Sequence, residues 1–442
     1  MGEDALKGYR GRTLVVLQSS NVSIGDVVKI GDGERSFEGT LMPRTELGDD
    51  QHIIIKLKNG YNIGVKLSQN ISIEKKGVGE KPKLSRSPTT EKRSDLPKIT
   101  IISTGGTIAS RVEYRTGSVH PALSADDLLA VVPELSNTAN IETEILFSLF
   151  SENVRSIHWT EMAKTCEKHI KNGTHGIVFC HGTDTMGYTA AALSFALQNL
   201  PIPIIIVGAQ RSSDRPSTDA ALNLVGAAKA ATSLNAAEVL VAMHESTSDD
   251  SVVFHRGTKV RKCHTSRRDA FRSVNSKPVA RIKEDKIEYM LDDYSLRDPN
   301  REVVLRPNFE DKVALLKSYP DLKPELIDWF SEKRYKGILL EGTGLGHVNA
   351  NLLPSIKSAI EKGTMVAMTS QCIWGRVNMN VYDTGRDLQT MGVIPLEDLL
   401  PETALVKMMW VFGQTTNPTE AEELMKKNLV GEFSPRTIYA EA

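Results

Sequence analysis

From Lys98 onward the chain alternates short apolar, β-branched runs with longer stretches patterned like helices. Lys98–Ser103, Gly176–Cys180, Pro203–Val207, Val239–Met243, Ile338–Glu341 and Met365–Ser370 have the length and composition of buried strands. Between them, Thr160–Ile170, the alanine-rich Thr185–Asn199, Thr218–Thr232 and the region around Leu352–Glu361 have helical length and spacing. Ser124 followed by Asp127 gives a capping-box start for a further helix over Asp126–Val132. Strands and helices in alternation predict an α/β fold with an open, largely parallel sheet covered on both faces. A more polar stretch from about Lys283 to Asp311 interrupts the pattern. A large lobe over residues 98–290, a connector over 291–311 and a small lobe over 312–442 are therefore expected.

The first 75 residues have a different texture. Short β-rich runs recur at Thr13–Leu17, Asp26–Ile30, Ser36–Leu41, His52–Leu57, Tyr61–Leu67 and Ile71–Ile73. A Lys-Asn-Gly-Tyr turn at 58–61 supplies a strong hairpin signal. This pattern predicts a small all-β barrel over 1–75. Residues 76–97 are rich in Lys, Arg, Ser and Pro and nearly empty of large apolar side chains, the composition of a flexible basic linker.

Charge and composition narrow the function. The chain has 442 residues and a net charge of -1, so no global field favours nucleic acid or an anionic membrane. Residues 1–75 hold ten basic and ten acidic side chains, which makes a docking module a better reading than a general RNA binder. No apolar run reaches the roughly 20 residues of a membrane span. Acids near the N-terminus stand where a secretion signal would be basic. The four cysteines form no C-x-x-C pair and read as free thiols, so a cytoplasmic location is expected.

In open α/β sheets the chemistry gathers beyond the C-terminal strand ends. After Lys98–Ser103 come Thr104, Gly105, Gly106 and Thr107; after Gly176–Cys180 come His181, Gly182, Thr183, Asp184 and Thr185. A threonine hydroxyl is a weak nucleophile and needs a base. A lysine freed of its proton can serve, with a carboxylate to place it. Thr183, Asp184 and Lys262 supply those types, and the Gly-Gly amides can face an oxyanion. From these residues alone, either Thr104 or Thr107 could attack. Neither glycine run ends in G-K-[ST], and Gly342–Gly346 lacks dinucleotide spacing. There is no H-E-x-x-H pair and no G-x-S-x-G elbow.

The segments T-G-G-T-I-A (Thr104–Ala109) and H-G-T-D-T-M (His181–Met186) resemble the two signatures of the bacterial-type L-asparaginase family, over roughly residues 97–440. The resemblance implies a two-lobe α/β fold and threonine-dependent deamidation of asparagine or glutamine, with no metal and no tightly bound cofactor. It implies Thr107 as nucleophile and Thr183, Asp184 and Lys262 as its catalytic companions. Gly106, Gly182, Ser151, Glu152 and the lid residue Tyr114 would contact substrate. Glu152 stands where the family has glutamine.

The β unit and linker ahead of the lobes, with Cys372–Arg386, further resemble the GatD family of archaeal glutamyl-tRNA(Gln) amidotransferases. That resemblance implies ammonia release to a partner protein, GatE. The partner would use ATP and Mg²⁺ to convert Glu-tRNA(Gln) to Gln-tRNA(Gln), and would hold most of the tRNA. Pairing through the asparaginase-like lobes would give a homodimer within a 2+2 assembly. The alternative is a stand-alone cytoplasmic L-asparaginase with an N-terminal accessory domain.

Overall fold

The computed structural model describes residues 6, 8–31, 35–44, 49–57, 62–78, 96–105, 110–112, 119–121, 135, 138–211 and 218–437. The expected 58–61 turn, most of the 76–97 linker, the helix over Asp126–Val132, Gly106, Thr107 and Tyr114 lie outside them.

The N-terminal part is β-rich. Among its described residues, β1 (Asp26–Gly31), β2 (Ser36–Leu41), β3 (His52–Lys56), β4 (Asn62–Lys66) and β5 (Ser72–Val78) form an antiparallel sheet in the order β4-β3-β2-β1-β5. Ahead of it, α1 (Gly11–Ser19) corrects the strand expected at Thr13–Leu17. The β-branched content of that run suggested a strand, yet its burial has helical spacing. Thr13 and Leu17, four apart, are buried, whereas Val15 is 64% exposed. Leu17, Val28, Ile30, Leu41, Ile53 and Ile55 build one core between helix and sheet.

The large lobe is organised on a mixed sheet. Its strands are β6 (Lys98–Ser103), β9 (Asn140–Ile145), β10 (Ile177–Cys180), β12 (Ile204–Val207), β13 (Val239–His244), β14 (Ser251–Arg256), β17 (Ala280–Lys283) and β18 (Lys286–Tyr289). Two short strands, β7 (Ser110–Val112) and β8 (Val119–Pro121), pair with each other apart from it. Among the described residues the order is β18-β17-β14-β13-β12-β10-β6-β9. The run from β9 to β13 is parallel, as expected, while β14, β17 and β18 add an antiparallel flank. β17 and β18 lie beside and inside the stretch read as a polar interruption, because alternate residues of β17 are less buried and most of β18 faces solvent. From β6 the chain goes to β9 on one side and to β10 on the other. This reversal opens a crevice at the C-terminal ends of β6 and β10, where such sheets hold ligands.

Two helices flank this crevice, α2 (Ser156–Lys171) and α3 (Met186–Ala196). Further on, α4 (Ala220–Ser233) covers the other face, with Leu224, Ala227, Ala228 and Ala231 in the core. The short pair β11 (Leu197–Gln198) and β19 (Val304–Leu305) ties the end of α3 to the connector. The hairpin β15 (Val260–Lys262) and β16 (Phe271–Ser273) pairs apart from the large sheet.

The small lobe stacks β20 (Val313–Lys317), β21 (Gly337–Gly342), β22 (Met365–Ser370) and β23 (Ile394–Pro395) as consecutive parallel strands. Helices α5 (Glu325–Glu332), α6 (Leu353–Glu361), α7 (Asp383–Thr390), α8 (Pro401–Gln414) and α9 (Pro418–Lys426) complete it. The alanines of α3 gain meaning here: that helix lies between the large sheet and α8. Phe195 stacks on Trp410 with ring centroids 5.8 Å apart, and Trp410 Nε1 donates to the Arg306 carbonyl at 3.0 Å. Small side chains let the two lobes share one core. No helix among the described residues is long and apolar enough to cross a membrane.

Candidate active site

Each strand bordering the crevice is followed by a glycine at which a side chain would collide with a neighbouring segment. Beyond β6, Gly105 has φ +110, and a Cβ there would lie 2.1 Å from the Leu149 carbonyl oxygen. The close approach is completed by the Leu149 amide donating to the Thr104 carbonyl at 3.3 Å. Beyond β10, a Cβ on Gly182 would stand 2.8 Å from both Cβ and Oγ of Ser151. Thr185 Oγ1 donates to the Ser151 carbonyl at 2.6 Å, which draws the loop after β9 onto the second turn. Ser151 is thereby buried beside Gly182. Glu152, its neighbour in a 3₁₀ turn, is exposed, and among the described residues no hydrogen bond joins it to either motif.

The Thr104 hydroxyl is buried and donates to the Cys180 carbonyl at 2.9 Å, so it ties β6 to β10. Thr107 lies outside the described residues.

The second motif and the hairpin lysine meet directly. Lys262 Nζ donates to Thr183 Oγ1 at 2.9 Å and to Asp184 Oδ1 at 2.8 Å. The Lys262 side chain is 15% exposed, whereas that of Asp184 is 68% exposed and opens outward. One cation thus bridges a hydroxyl and a carboxylate from adjacent residues of one turn. Lys262 belongs to a run of basic residues, yet its neighbours are paired elsewhere. Arg261 Nε meets Glu402 Oε1 at 3.2 Å, and Arg267 forms a two-pronged pair with Asp269 at 2.9 and 2.7 Å. Arg268 meets Asp249 and the Thr247 carbonyl.

His181 shapes the turn. Its Nδ1–H donates to the Gly182 carbonyl at 2.6 Å, and Nε2 accepts from Thr189 Oγ1 at 3.0 Å. Trp159 Nε1 donates in turn to Thr189 Oγ1 at 3.1 Å. Burial pushes the imidazole down to about 4, so it is neutral at pH 7. The adjacent Cys180 thiol is pushed up to about 12 by burial and behaves as a small apolar side chain.

The sequence reading missed the third wall. Gly208, just after β12, packs on Thr183: a Cβ there would lie 2.9 Å from Thr183 Cγ2 and from the His181 carbonyl oxygen. The loop beyond it is held by the buried Asp219, whose carboxylate accepts from the Gln210 and Arg211 amides at 3.0 and 2.9 Å. Asn223 joins Asp219 to the Gly208 carbonyl. A glycine directly after an apolar strand was the available signal. Among the described residues no group of three or more His, Cys, Asp or Glu side chains could hold a metal ion.

Known proteins share this fold and domain order. Residues 98–294 match the model for Asparaginase, N-terminal, and 312–425 match the Glutaminase/Asparaginase C-terminal domain. Residues 22–75 match the GatD N-terminal domain. Among solved structures, the thermostable L-asparaginase from Thermococcus kodakarensis superposes with a TM-score of 0.68 at 31% identity, covering 77% of this chain and 100% of that one. The GatD component of glutamyl-tRNA(Gln) amidotransferase from Pyrococcus furiosus is 52% identical over 428 residues, covering 95% of this chain and 97% of that protein. The corresponding protein from Methanothermobacter thermautotrophicus is 48% identical over 433 residues, covering 98% and 99%. Asparaginase lobes preceded by this N-terminal unit, with identity along nearly the whole length, place the chain in the GatD family of glutamyl-tRNA(Gln) amidotransferases.

Proposed function

We propose that this chain is the amide-hydrolysing component of a tRNA-dependent amidotransferase, releasing ammonia that a partner protein, GatE, uses to make Gln-tRNA(Gln) from Glu-tRNA(Gln). The observation that carries the reading is the identity to GatD relatives along nearly the whole chain, N-terminal unit included. A stand-alone L-asparaginase would have no need of that unit, and the superposed asparaginase from Thermococcus kodakarensis covers only 77% of this chain. ATP and Mg²⁺ belong in this scheme to the partner.

In the proposed chemistry the Thr107 hydroxyl attacks the amide carbon, and the tetrahedral oxyanion faces the backbone amides of the Gly105-Gly106 turn. The Thr107 proton passes to the amide nitrogen as the C–N bond breaks, so that ammonia leaves and an ester to Thr107 remains. Water then opens the ester. Thr183 and Lys262 take the proton of the attacking water and return it to the Thr107 oxygen as the ester C–O bond breaks, which restores the hydroxyl, and Asp184 holds Lys262 in place. The 2.9 and 2.8 Å contacts of Lys262 support this relay. Ser151, Gly182 and Glu152 would border the substrate, with Tyr114 closing over it. We assign the chain to the cytoplasm and to a homodimer within a 2+2 assembly with GatE.

The test is glutamine hydrolysis by the purified chain, with and without GatE and Glu-tRNA(Gln). Stimulation by both supports the reading. Full activity on asparagine, indifferent to either, would establish the stand-alone asparaginase instead.

A further inference from the structure

The hairpin that presents Lys262 is anchored in the small lobe at its root. Lys259, three residues before Lys262 and 1% exposed, donates to Asp398 Oδ2 at 2.7 Å. Asp398 is also buried and stands between β23 and α8 of the small lobe. Its second oxygen accepts from the Ser434 amide at 3.0 Å. The other end of the hairpin reaches the same place: Asn275, two residues past β16, donates to the Asp398 carbonyl at 3.3 Å. Asn275 also exchanges two 2.9 Å bonds with the backbone of Gly375. Val274 N donates to the Lys259 carbonyl at 2.8 Å, so both roots of the hairpin are joined at the anchor.

Stability alone is a poor account of such a pair. Withdrawing two charges from water is expensive, and apolar replacements of similar size are often as stable. What a charge-assisted hydrogen bond adds is direction. Here it fixes the root of a strand of only three residues, Val260–Lys262, whose last side chain must reach two acceptors at once. Three residues of strand span about 10 Å, too short to absorb a shift at the root. The bonds at Thr183 and Asp184 tolerate little displacement, since about 1 Å of misplacement can cost about 100-fold in rate.

We propose that Lys259 and Asp398 are positioning residues for amide hydrolysis: a buried inter-lobe ion pair that sets where Lys262 stands against Thr183 and Asp184. The inference rests on Lys262 being the proton acceptor. It makes the small lobe part of the catalytic apparatus, acting through the hairpin without touching substrate.

The test compares the full chain, assembled with GatE, as wild type, as Lys259→Met/Asp398→Leu, as Asp398→Asn and as Lys259→Arg. Glutamine hydrolysis is normalised to the folded fraction read by circular dichroism. The double variant and Asp398→Asn are expected to lose about 10- to 100-fold in kcat with KM within about twofold of wild type, and Lys259→Arg to keep most of the rate. A purely structural pair would lower the melting temperature and leave the kcat of the folded fraction unchanged, which would overturn the proposal. Should the double variant not fold, Asp398→Asn decides alone by the same criterion. Lys262→Met is the control: if it stays active, the role of Lys262 fails, whereas a dead Lys262→Met beside a fully active Asp398→Asn refutes only the anchor.

Discussion

Lys262 Nζ lies 2.9 Å from Thr183 Oγ1, although the two residues are 79 positions apart and sit on a hairpin and a strand-end turn of separate origin. Lys262→Met keeps the aliphatic stem and removes the amine. Ammonia release from glutamine should fall by about 10²- to 10⁴-fold, the usual worth of a positioned acid–base group. The melting temperature should change little, because the lost partner Asp184 is well exposed and solvates itself. Wild-type release by a folded Lys262→Met chain would remove the lysine from the chemistry.

The two first-motif threonines should separate cleanly. Thr104→Val deletes one buried hydroxyl that donates to Cys180, at a cost of about 1 kcal/mol, and leaves glutamine hydrolysis largely intact. Thr107→Ala should abolish it. Urea denaturation and an ammonia assay on both variants decide; an inactive, stable Thr104→Val chain would reverse the assignment.

Gly182→Ala places a methyl 2.8 Å from Ser151 Cβ and Oγ, a separation that real Cβ atoms do not show. Ser151 cannot retreat without breaking the Thr185 bond to its carbonyl. A loss of at least about tenfold in kcat/KM is expected, together with about 1–3 kcal/mol of stability. Equal activity to wild type would mean the loop after β9 adapts freely.

Much of this site could be read from the chain, because strand-end glycines and the hydroxyls after them are local features. His181–Asp184 stood out that way, whereas Lys262 was singled out by residue type and placed only through family resemblance. Ser151 against Gly182 was reached only through family resemblance, since a close approach between distant segments leaves no periodic trace. Gly208, Asp219 and Asp398 were not found at all: a single buried acid looks like any surface acid until its partners are known. The helix α1 was misread because Thr-Leu-Val-Val-Leu carries strand propensity, while its sheet-facing positions obey the helical period. The antiparallel flank from β14 to β18 was hidden for a related reason, as its outer strands are partly or largely exposed and read as polar.

A second buried ion pair gives a prediction about the C-terminal segment. Lys407 on α8 and Glu432 are both fully buried and meet at 2.7 Å. Glu432 also accepts from the Leu429 and Val430 amides, and Lys407 donates to the Lys427 carbonyl. Lys407→Met leaves the carboxylate uncompensated and should cost about 3–5 kcal/mol in urea denaturation. Adding Glu432→Gln, which removes the stranded charge, should return more than half of that loss. If the double variant is no better than the single one, the damage comes from packing against Phe433 and not from the charge.

Acid should destabilise the large lobe through two buried imidazoles before its carboxylates titrate. Burial lowers His181 to about 4 and His255 to about 3, from about 6.5 in the unfolded chain. A base whose folded pKa is depressed contributes its full stability above the unfolded value. That stability is lost as pH falls from about 6.5 toward the folded value, because only the unfolded state takes up the proton. Between pH 6 and 5 each imidazole should therefore remove about 1 kcal/mol per pH unit. His255 is the cleaner probe, since Nδ1 has one partner, Ser273 Oγ at 2.8 Å, and Nε2 has none among the described residues. Denaturant melts of wild type and His255→Gln at pH 7, 6 and 5 should show a shallower decline in the variant, by about 1 kcal/mol per unit. Parallel declines would mean that this imidazole does not stay neutral in the folded chain.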